Sequence, residues 1–166
     1  MTIIAAFDIA TATGVCLGRP GTVPAVWTWK LAGRTRAAKL GDLRYLLDQF
    51  FASTEVDGVF YEAPLPIRGM MRVGATDDVI AMLRGAIGVV ESCASHAGIQ
   101  TIEAISVQKA RKSLSTSGKE GVFRVAKMMG VDIKSQDEAD AYAIWWTACA
   151  QHNPRIAHLT TPLFAR

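Results

Sequence analysis

Two acidic residues end apolar stretches of the chain, at positions where an unpaired charge is costly to bury. Asp8 follows the run IIAAF (residues 3–7), and Glu62 closes the run GVFYE (residues 58–62). If the two runs are neighbouring parallel strands, both carboxylates emerge at the same edge of the sheet, about 5 Å apart. Two carboxylates at that spacing repel each other unless a cation binds them, so the pair predicts a cation-dependent site.

A second acidic group begins the stretch SQDEADAYAIWW (residues 135–146). The S-x-x-E pattern from Ser135 to Glu138 matches a helix capping box, and acidic residues near a helix N-terminus gain about 0.3 to 1 kcal/mol from the helix dipole. Capping does not explain Asp140, which lies a full turn inside the helix and shares a face with Asp137, where like charges repel. We therefore expect a cation to offset this pair, while an acidic helix start alone remains the structural alternative.

The two acidic groups can converge on one metal site. Asp137 and Asp140 can approach Asp8 and Glu62 from the last helix, at the carboxyl ends of parallel strands, where open α/β sheets place their ligands. The four side chains offer oxygen ligands without His or Cys, which suits Mg²⁺ or Mn²⁺ rather than zinc. The sequence therefore predicts that Asp8, Glu62, Asp137 and Asp140 form a site for a hard divalent cation.

Basic residues are concentrated in two segments of the chain. Such runs usually form a solvated helical face. Beside a cation-binding acidic centre, contact with phosphate groups is the alternative. The two segments contain Lys109, Arg111, Lys112, Lys119, Arg124 and Lys127 in one, and Arg34, Arg36, Lys39 and Arg44 in the other.

The hydrophobic pattern predicts an α/β fold with a central five-stranded mixed sheet, made of a three-strand antiparallel meander plus parallel strands and flanked by helices. The segment at residues 64–70 is predicted to be a loop. Met70 and Met71, at the end of this segment, either wedge against unstacked bases or pack onto the core. We expect only one of Trp27 and Trp29 to face inward. The predicted strands are residues 3–10, 13–18, 25–32, 57–63 and 99–105, and the predicted helices are residues 36–52, 75–97, 119–129 and 137–152.

Composition limits the class of protein. A chain of 166 residues, 50% hydrophobic, can bury one core, so we expect one domain over residues 1–166. A net charge of +3 permits an anionic partner. The three cysteines are far apart in apolar surroundings, which predicts reduced thiols and a cytoplasmic location. The first residues carry Asp8 instead of a basic leader, and no charge-free run is long enough to span a bilayer, so no membrane partner is expected.

Several motifs together resemble one family of enzymes. Their order is FDIATATGVC, VFYEAPL, a helix containing RGAI, a basic segment with glycine, and DEADAYAI. This order resembles the RuvC family of Holliday junction resolvases, in the RNase H-like superfamily, over residues 3–146. The stretch EAPL is similar to the corresponding stretch in the short phage or prophage members of this family. Leu65 stands where cellular relatives carry an aromatic residue three positions after the glutamate, which departs from the family's junction-wedging contact.

The resemblance implies a Mg²⁺-dependent endonuclease that cuts four-way junctions, with Mn²⁺ able to substitute. In this family two ions, about 3.5 to 4 Å apart, assist hydrolysis of the phosphodiester. The position of Asp8 on a central strand favours it as the bridging ligand. The residues implied as catalytic are Asp8, Glu62, Asp137, Asp140, Lys109 and Lys119, with the two lysines near the scissile phosphate.

A symmetric homodimer is expected through the helix at residues 75–97. Its apolar residues wrap wider than one core-facing stripe, and Gly85 and Gly88 suggest the close approach of another backbone. Twofold symmetry would present two sites to the matching strands of a junction.

Alternative functions remain open from the sequence. One is an RNase H-like nuclease acting on structured RNA or on other branched DNA. A nucleic-acid-binding module without catalysis is disfavoured, because all four acidic positions are filled. DIATATG also resembles the phosphate loop of actin-like ATPases and sugar kinases, but that fold needs two such domains and more chain than 166 residues.

Overall fold

The computed structural model describes residues 2–64, 66–72, 74–114 and 119–154. Within this part of the chain, five strands form one sheet in the order β3-β2-β1-β4-β5. The strands are β1 (Ile4–Asp8), β2 (Ala12–Gly18), β3 (Ala25–Lys30), β4 (Gly58–Glu62) and β5 (Thr101–Ile105). The helices are α1 (Arg36–Ser53), α2 (Ile67–Arg72), α3 (Asp77–His96), α4 (Val107–Ser113), α5 (Lys119–Met128) and α6 (Gln136–His152).

The sheet is mixed, as the sequence predicts. β1 pairs antiparallel with β2 and parallel with β4, while β2 pairs antiparallel with β3 and β4 pairs parallel with β5. The register places Phe7 opposite Tyr61, so Asp8 and Glu62 follow side by side at the carboxyl ends of β1 and β4. The predicted fold class is confirmed.

The central strand β1 is buried on both faces, because helices cover both sides of the sheet. Successive side chains of a strand point to opposite faces. Ile4 and Ala6 belong to a core shared with α4, α5 and α6, whereas Ala5 and Phe7 belong to a core shared with α1 and α3. This alternation places the next side chain, that of Asp8, on the α6 side.

One segment predicted to be a loop is helical. Pro64 and Pro66 signal a turn, but α2 begins directly after Pro66, whose carbonyl accepts hydrogen bonds from the amides of Gly69 and Met70 at 2.7 and 3.0 Å. Within α2, Met70 is buried and Met71 is 56% exposed. The two methionines therefore have different surroundings, and the predicted loop at residues 64–70 is wrong for its second half.

The two tryptophans of β3 both face the same core. Trp27 and Trp29 lie two residues apart, which is one full period of a strand, so their side chains share a face. Their rings lie 6.0 and 5.6 Å from the ring of Phe50 on α1. The expectation that only one of them faces inward is wrong, because it treated residues at this spacing as alternating.

Helix α3 begins two residues later than predicted, because Thr76 caps it by accepting a hydrogen bond from the amide of Val79. Among the described residues, α3 is the one helix that is long and apolar enough to cross a membrane by length and composition alone. The core helix of a soluble protein can have the same length and composition. Here α3 packs on α1, and its Glu91 accepts a hydrogen bond from the Tyr61 hydroxyl.

Gly85 of α3 is explained by contacts within the chain. A Cβ added at Gly85 would lie 3.0 Å from Cδ1 of Leu40 on α1. The close approach expected from a partner is thus made by α1 at this position. Gly88 is exposed, and a Cβ there would meet no atom of the described chain within 4 Å.

The cysteines are free and buried in the described structure. Burial raises the pKa of Cys149 to about 12 and that of Cys93 to about 11. Burial also raises the pKa of Cys16 well above its ordinary value. All three side chains are therefore protonated core thiols, as their apolar surroundings predict.

Candidate active site

Asp8 and Glu62 form the centre of the candidate site. Asp8 is 7% exposed, and its carboxyl group shares a hydrogen bond with that of Glu62 on the neighbouring strand. Burial has the largest effect on its pKa, followed by this hydrogen bond, the charge of Glu62, and the charges of Asp140 and Asp137. Together they raise the pKa of Asp8 to about 9. A proton thus occupies a place that a cation could fill.

Helix α6 reaches this centre because β2 carries a glycine at the contact. A Cβ on Gly14 would lie 2.0 Å from the carbonyl oxygen of Asp137, which no side chain could tolerate. Gly14 is also the cross-strand partner of Asp8. The missing side chain therefore lets the first turn of α6 lie directly on the sheet, next to Asp8.

The start of α6 is fixed by Ser135 and Glu138. Ser135 accepts a hydrogen bond from the amide of Glu138 at 3.1 Å, as a capping residue does. Glu138 does not complete the predicted box on Ser135. It accepts instead from the amide of Lys134 at 2.7 Å and from the Thr28 hydroxyl on β3 at 3.1 Å. Glu138 is buried and ties α6 to the sheet, so its role is structural.

The cation expected near Asp140 is Arg111 of α4. Its Nη2 lies 2.7 Å from Oδ1 and 2.8 Å from Oδ2 of Asp140, and its Nε lies 3.0 Å from Oδ1. The Asp140 side chain is 6% exposed and that of Arg111 is 23% exposed. This bidentate pair neutralises the most buried acid that α6 contributes to the site.

The donor set fits a hard divalent cation in chemistry, although it is not arranged as a finished metal cage. Four carboxylates gather on one side of the sheet, and oxygen ligands suit Mg²⁺ or Mn²⁺. In the described part of the chain, no three His, Cys, Asp or Glu side chains already have the geometry to hold an ion. The pairing of Asp140 with Arg111 accounts for part of this difference, because both its oxygens are engaged.

The two predicted lysines lie on helices α4 and α5. Lys109 is exposed on α4, two residues before Arg111. Lys119 begins α5, and its side chain lies outside the described residues, as does all of Leu65. The roles of these three residues remain predictions.

A small pocket adjoins Glu62 on the side away from α6. Its volume is about 120 Å³. The buried Met70 lines it, so α2 closes one side of the acidic site. The remaining lining residues are Ile9, Glu62, Ala63, Pro64, Leu83 and Ile87.

Arg111 and Gly14 are the residues that sequence reasoning did not assign to the site. The misplaced charge of Asp140 predicted a cation, but the six basic residues between Lys109 and Lys127 offered no means of choosing among them. Gly14 belongs to the Thr-Gly that follows the strand aspartate in FDIATATGVC. The sequence signal for a role of Gly14 was its position in this motif, shortly after Asp8.

The sheet order, the helices on both faces and the acidic cluster at the strand ends define a protein with the RNase H-like fold. No protein-family model matches the chain. A search of curated proteins also found no match.

Solved structures of two resolvases share the fold. Thermus thermophilus RuvC in complex with a Holliday junction substrate superimposes with a TM-score of 0.71 at 17% identity, over 92% of this chain and 96% of RuvC. A second structure of that protein gives a TM-score of 0.70 at 17% identity, over 91% and 96%. The yeast mitochondrial Holliday junction resolvase Ydc2 gives 0.63 at 10% identity, over 95% and 83%. At these identities the likeness is one of fold.

Proposed function

We propose that this protein is a divalent-metal-dependent endonuclease that resolves four-way DNA junctions by phosphodiester hydrolysis. The observation that carries the proposal is the buried Asp8 carboxyl, which is hydrogen-bonded to Glu62 and within electrostatic range of Asp137 and Asp140. Such a group of acids suits metal-assisted phosphoryl chemistry. The fold likeness to RuvC, which was solved with a Holliday junction substrate, supports the junction as the substrate.

The metal ligands would be the four carboxylates, with two ions of Mg²⁺ or Mn²⁺ per site. Bound ions would supply the positive charge that promotes attack of water on phosphorus and stabilises the leaving oxygen. Asp8 is the ligand best placed to serve both ions, because it ends the central strand β1 and is paired with Gly14 of β2. Glu62 flanks it from β4, while Asp137 and Asp140 approach from α6.

Basic residues would hold the DNA backbone around this centre. A cleft of about 520 Å³ begins at Ala10 and Thr11, two residues after the end of β1. Arg36 and Lys39 line it together with Asp78, which lies 3.5 Å from Arg36. We assign this cleft to phosphate groups of the junction arms. Lys109 and Lys119 would neutralise charge that develops on the scissile phosphate.

The protein would act as a homodimer in the cytoplasm. The apolar surface that α3 offers to a second copy consists of Val79, which is 46% exposed, and the half-buried Leu83, Ile87 and Val89. Paired sites related by twofold symmetry would cut the two matching strands of a junction. The buried free thiols suit a reducing compartment.

The test is a cleavage panel of end-labelled four-way junction, flap, duplex and hairpin RNA, each incubated with Mg²⁺, Mn²⁺ or EDTA. We expect paired, symmetric nicks in the junction with either metal and no product in EDTA. Preferential cleavage of the RNA or the flap would replace the proposed substrate. Binding to the junction without cleavage of any substrate would contradict the assignment as a nuclease.

A further inference from the structure

Arg111 and Asp140 form a largely buried, bidentate ion pair in the candidate site. Both Asp140 oxygens accept from the guanidinium at 2.7 and 2.8 Å, and Nε adds a third contact at 3.0 Å. The carboxylate is almost completely buried, so the pair is little screened by solvent. The planar guanidinium group can form two parallel hydrogen bonds to a carboxylate. The ammonium group of a lysine cannot reproduce this geometry.

A metal ion and Arg111 compete for the lone pairs of Asp140. The three N–H contacts from Arg111 take three of the roughly four lone-pair sites that the two carboxylate oxygens offer. The guanidinium cannot give up its charge at any ordinary pH. A divalent ion placed beside it would also be repelled.

We propose that Arg111 is the resident counter-ion of Asp140 and competes with the divalent cation for that carboxylate, so that it sets the metal affinity of the site. This inference rests on the proposed metal-dependent function. Without metal, Arg111 compensates the buried charge and keeps α4 and α6 together. When metal binds, the guanidinium gives up at least one of its three contacts with Asp140, and this exchange weakens binding.

The experiment is a calorimetric titration of the full chain with Mn²⁺, without DNA, so that its readout is independent of cleavage. Arg111→Gln removes the charge and the fork, whereas Arg111→Lys keeps the charge and loses the fork. Lys112→Gln is the matched control, because Lys112 is exposed and lies one residue further along α4. It removes one positive charge from the same helix.

We expect Arg111→Gln to bind Mn²⁺ roughly tenfold more tightly than the wild type, a difference of about 1.4 kcal/mol. The Mn²⁺ affinity of Arg111→Lys is expected to lie between those of the wild type and Arg111→Gln. The Mn²⁺ affinity of Lys112→Gln is expected to stay within about twofold of the wild type. Equal tightening by Arg111→Gln and Lys112→Gln would overturn the proposal in favour of general electrostatics. Weaker binding by Arg111→Gln would also overturn it, because Arg111 would then orient Asp140 for the metal.

Thermal unfolding in EDTA and in saturating Mn²⁺ tests whether a folding defect, instead of a change at the metal site, explains an altered Mn²⁺ affinity. Loss of Arg111 removes a charged partner from a buried carboxylate, so Arg111→Gln is expected to melt at a lower temperature than the wild type in EDTA. Added Mn²⁺ is expected to raise its melting temperature more than that of the wild type. If Arg111→Gln does not fold, Arg111→Lys decides the outcome, and unchanged affinity in that variant contradicts the proposal.

Failure of this inference can be told apart from failure of the proposed function. If the wild type binds Mn²⁺ and cuts the junction, but the Arg111 variants bind no more tightly, only the competition is refuted. If neither the wild type nor any Arg111 variant binds Mn²⁺, and no substrate is cut, both the competition and the nuclease are refuted.

Discussion

At the scale of single residues, Asp8 is an acid that the fold protonates in the absence of a cation. Its pKa in the folded protein is about 9, mainly because the group is buried and secondarily because Glu62 lies beside it. The pKa of an aspartate in an unfolded chain is about 4. Between these values the folded state holds a proton that the unfolded state releases. The contribution of Asp8 to stability is therefore complete below about pH 4 and is lost as the pH rises toward 9.

The metal-free wild type is expected to lose stability between pH 5 and pH 8.5, and Asp8→Asn to remove most of this loss. An amide cannot ionise, so the variant should be more stable than the wild type at pH 8.5 by about 1 to 3 kcal/mol. Urea unfolding in EDTA at both pH values measures this difference. Asp132→Asn is the control, because Asp132 is an exposed acid outside the site. Parallel pH profiles for the wild type and Asp8→Asn would refute the buried, protonated state.

At the scale of elements, the site depends on how closely α6 lies on β2. Gly14 permits contact between the strand and the backbone of Asp137, while Glu138 anchors the same turn to Thr28 on β3. The acids of α6 are therefore placed by backbone contact and by a buried hydrogen bond. A displacement of this turn would move Asp137 and Asp140 away from Asp8.

Gly14→Ala is expected to impair the site more than the fold. Its methyl group would overlap the Asp137 carbonyl, so α6 must shift, at a cost of about 1 to 3 kcal/mol in stability. We expect junction cleavage to fall by at least about a hundredfold, since small misplacements have large effects on catalysis. Gly41→Ala on α1 is the control, because no described atom lies within 4 Å of the added methyl group. It should retain cleavage and gain up to about 1 kcal/mol. Equal cleavage by the two variants would contradict this role for Gly14.

The elements were largely predictable because hydrophobic runs and capping residues determine them locally. The strands β1 and β4, with Asp8 and Glu62 at their ends, follow from runs of buried residues. Helix α2 was not predictable, since its six residues follow two prolines and are too short for a periodic signal. Arg111 was also beyond prediction as the partner of Asp140, because 29 residues separate them and only the tertiary packing of α4 on α6 joins them.

At the scale of the whole molecule, the surface of α3 is where the predicted homodimer would form. Gly85 is accounted for by Leu40 of α1, so it no longer argues for a partner. Gly88 remains unexplained within the described chain, and a glycine inside a helix costs about 0.5 to 1 kcal/mol relative to alanine. Close contact with a second backbone would explain that cost. The homodimer through residues 75–97 therefore stays a prediction that depends on Gly88 and its neighbours.

Gly88→Leu is expected to shift the protein from dimer toward monomer without reducing the stability of the fold. Leucine has open space at this position in the single chain, but it would separate two backbones at an interface. Sedimentation velocity at micromolar concentration measures the change, with Gly41→Leu as a control on α1. A wild type that is monomeric both free and bound to a junction would exclude the arrangement.

The central claim, that the carboxylates around Asp8 carry out DNA hydrolysis, is tested most directly by Asp8→Asn in single-turnover cleavage and gel-shift binding of a four-way junction. We expect the rate to fall by roughly a thousandfold or more, since the bound ions supply several kcal/mol. Junction binding should be unchanged or tighter. Without metal Asp8 is already protonated, so the variant changes no charge, and with metal it removes the negative charge of an ionised ligand near the phosphates. The matched variant Glu138→Gln, in a buried acid that contacts Thr28 and Lys134 instead of the cluster, should keep its rate within about tenfold. Full cleavage by Asp8→Asn, or an equally large loss in Glu138→Gln, would contradict the account.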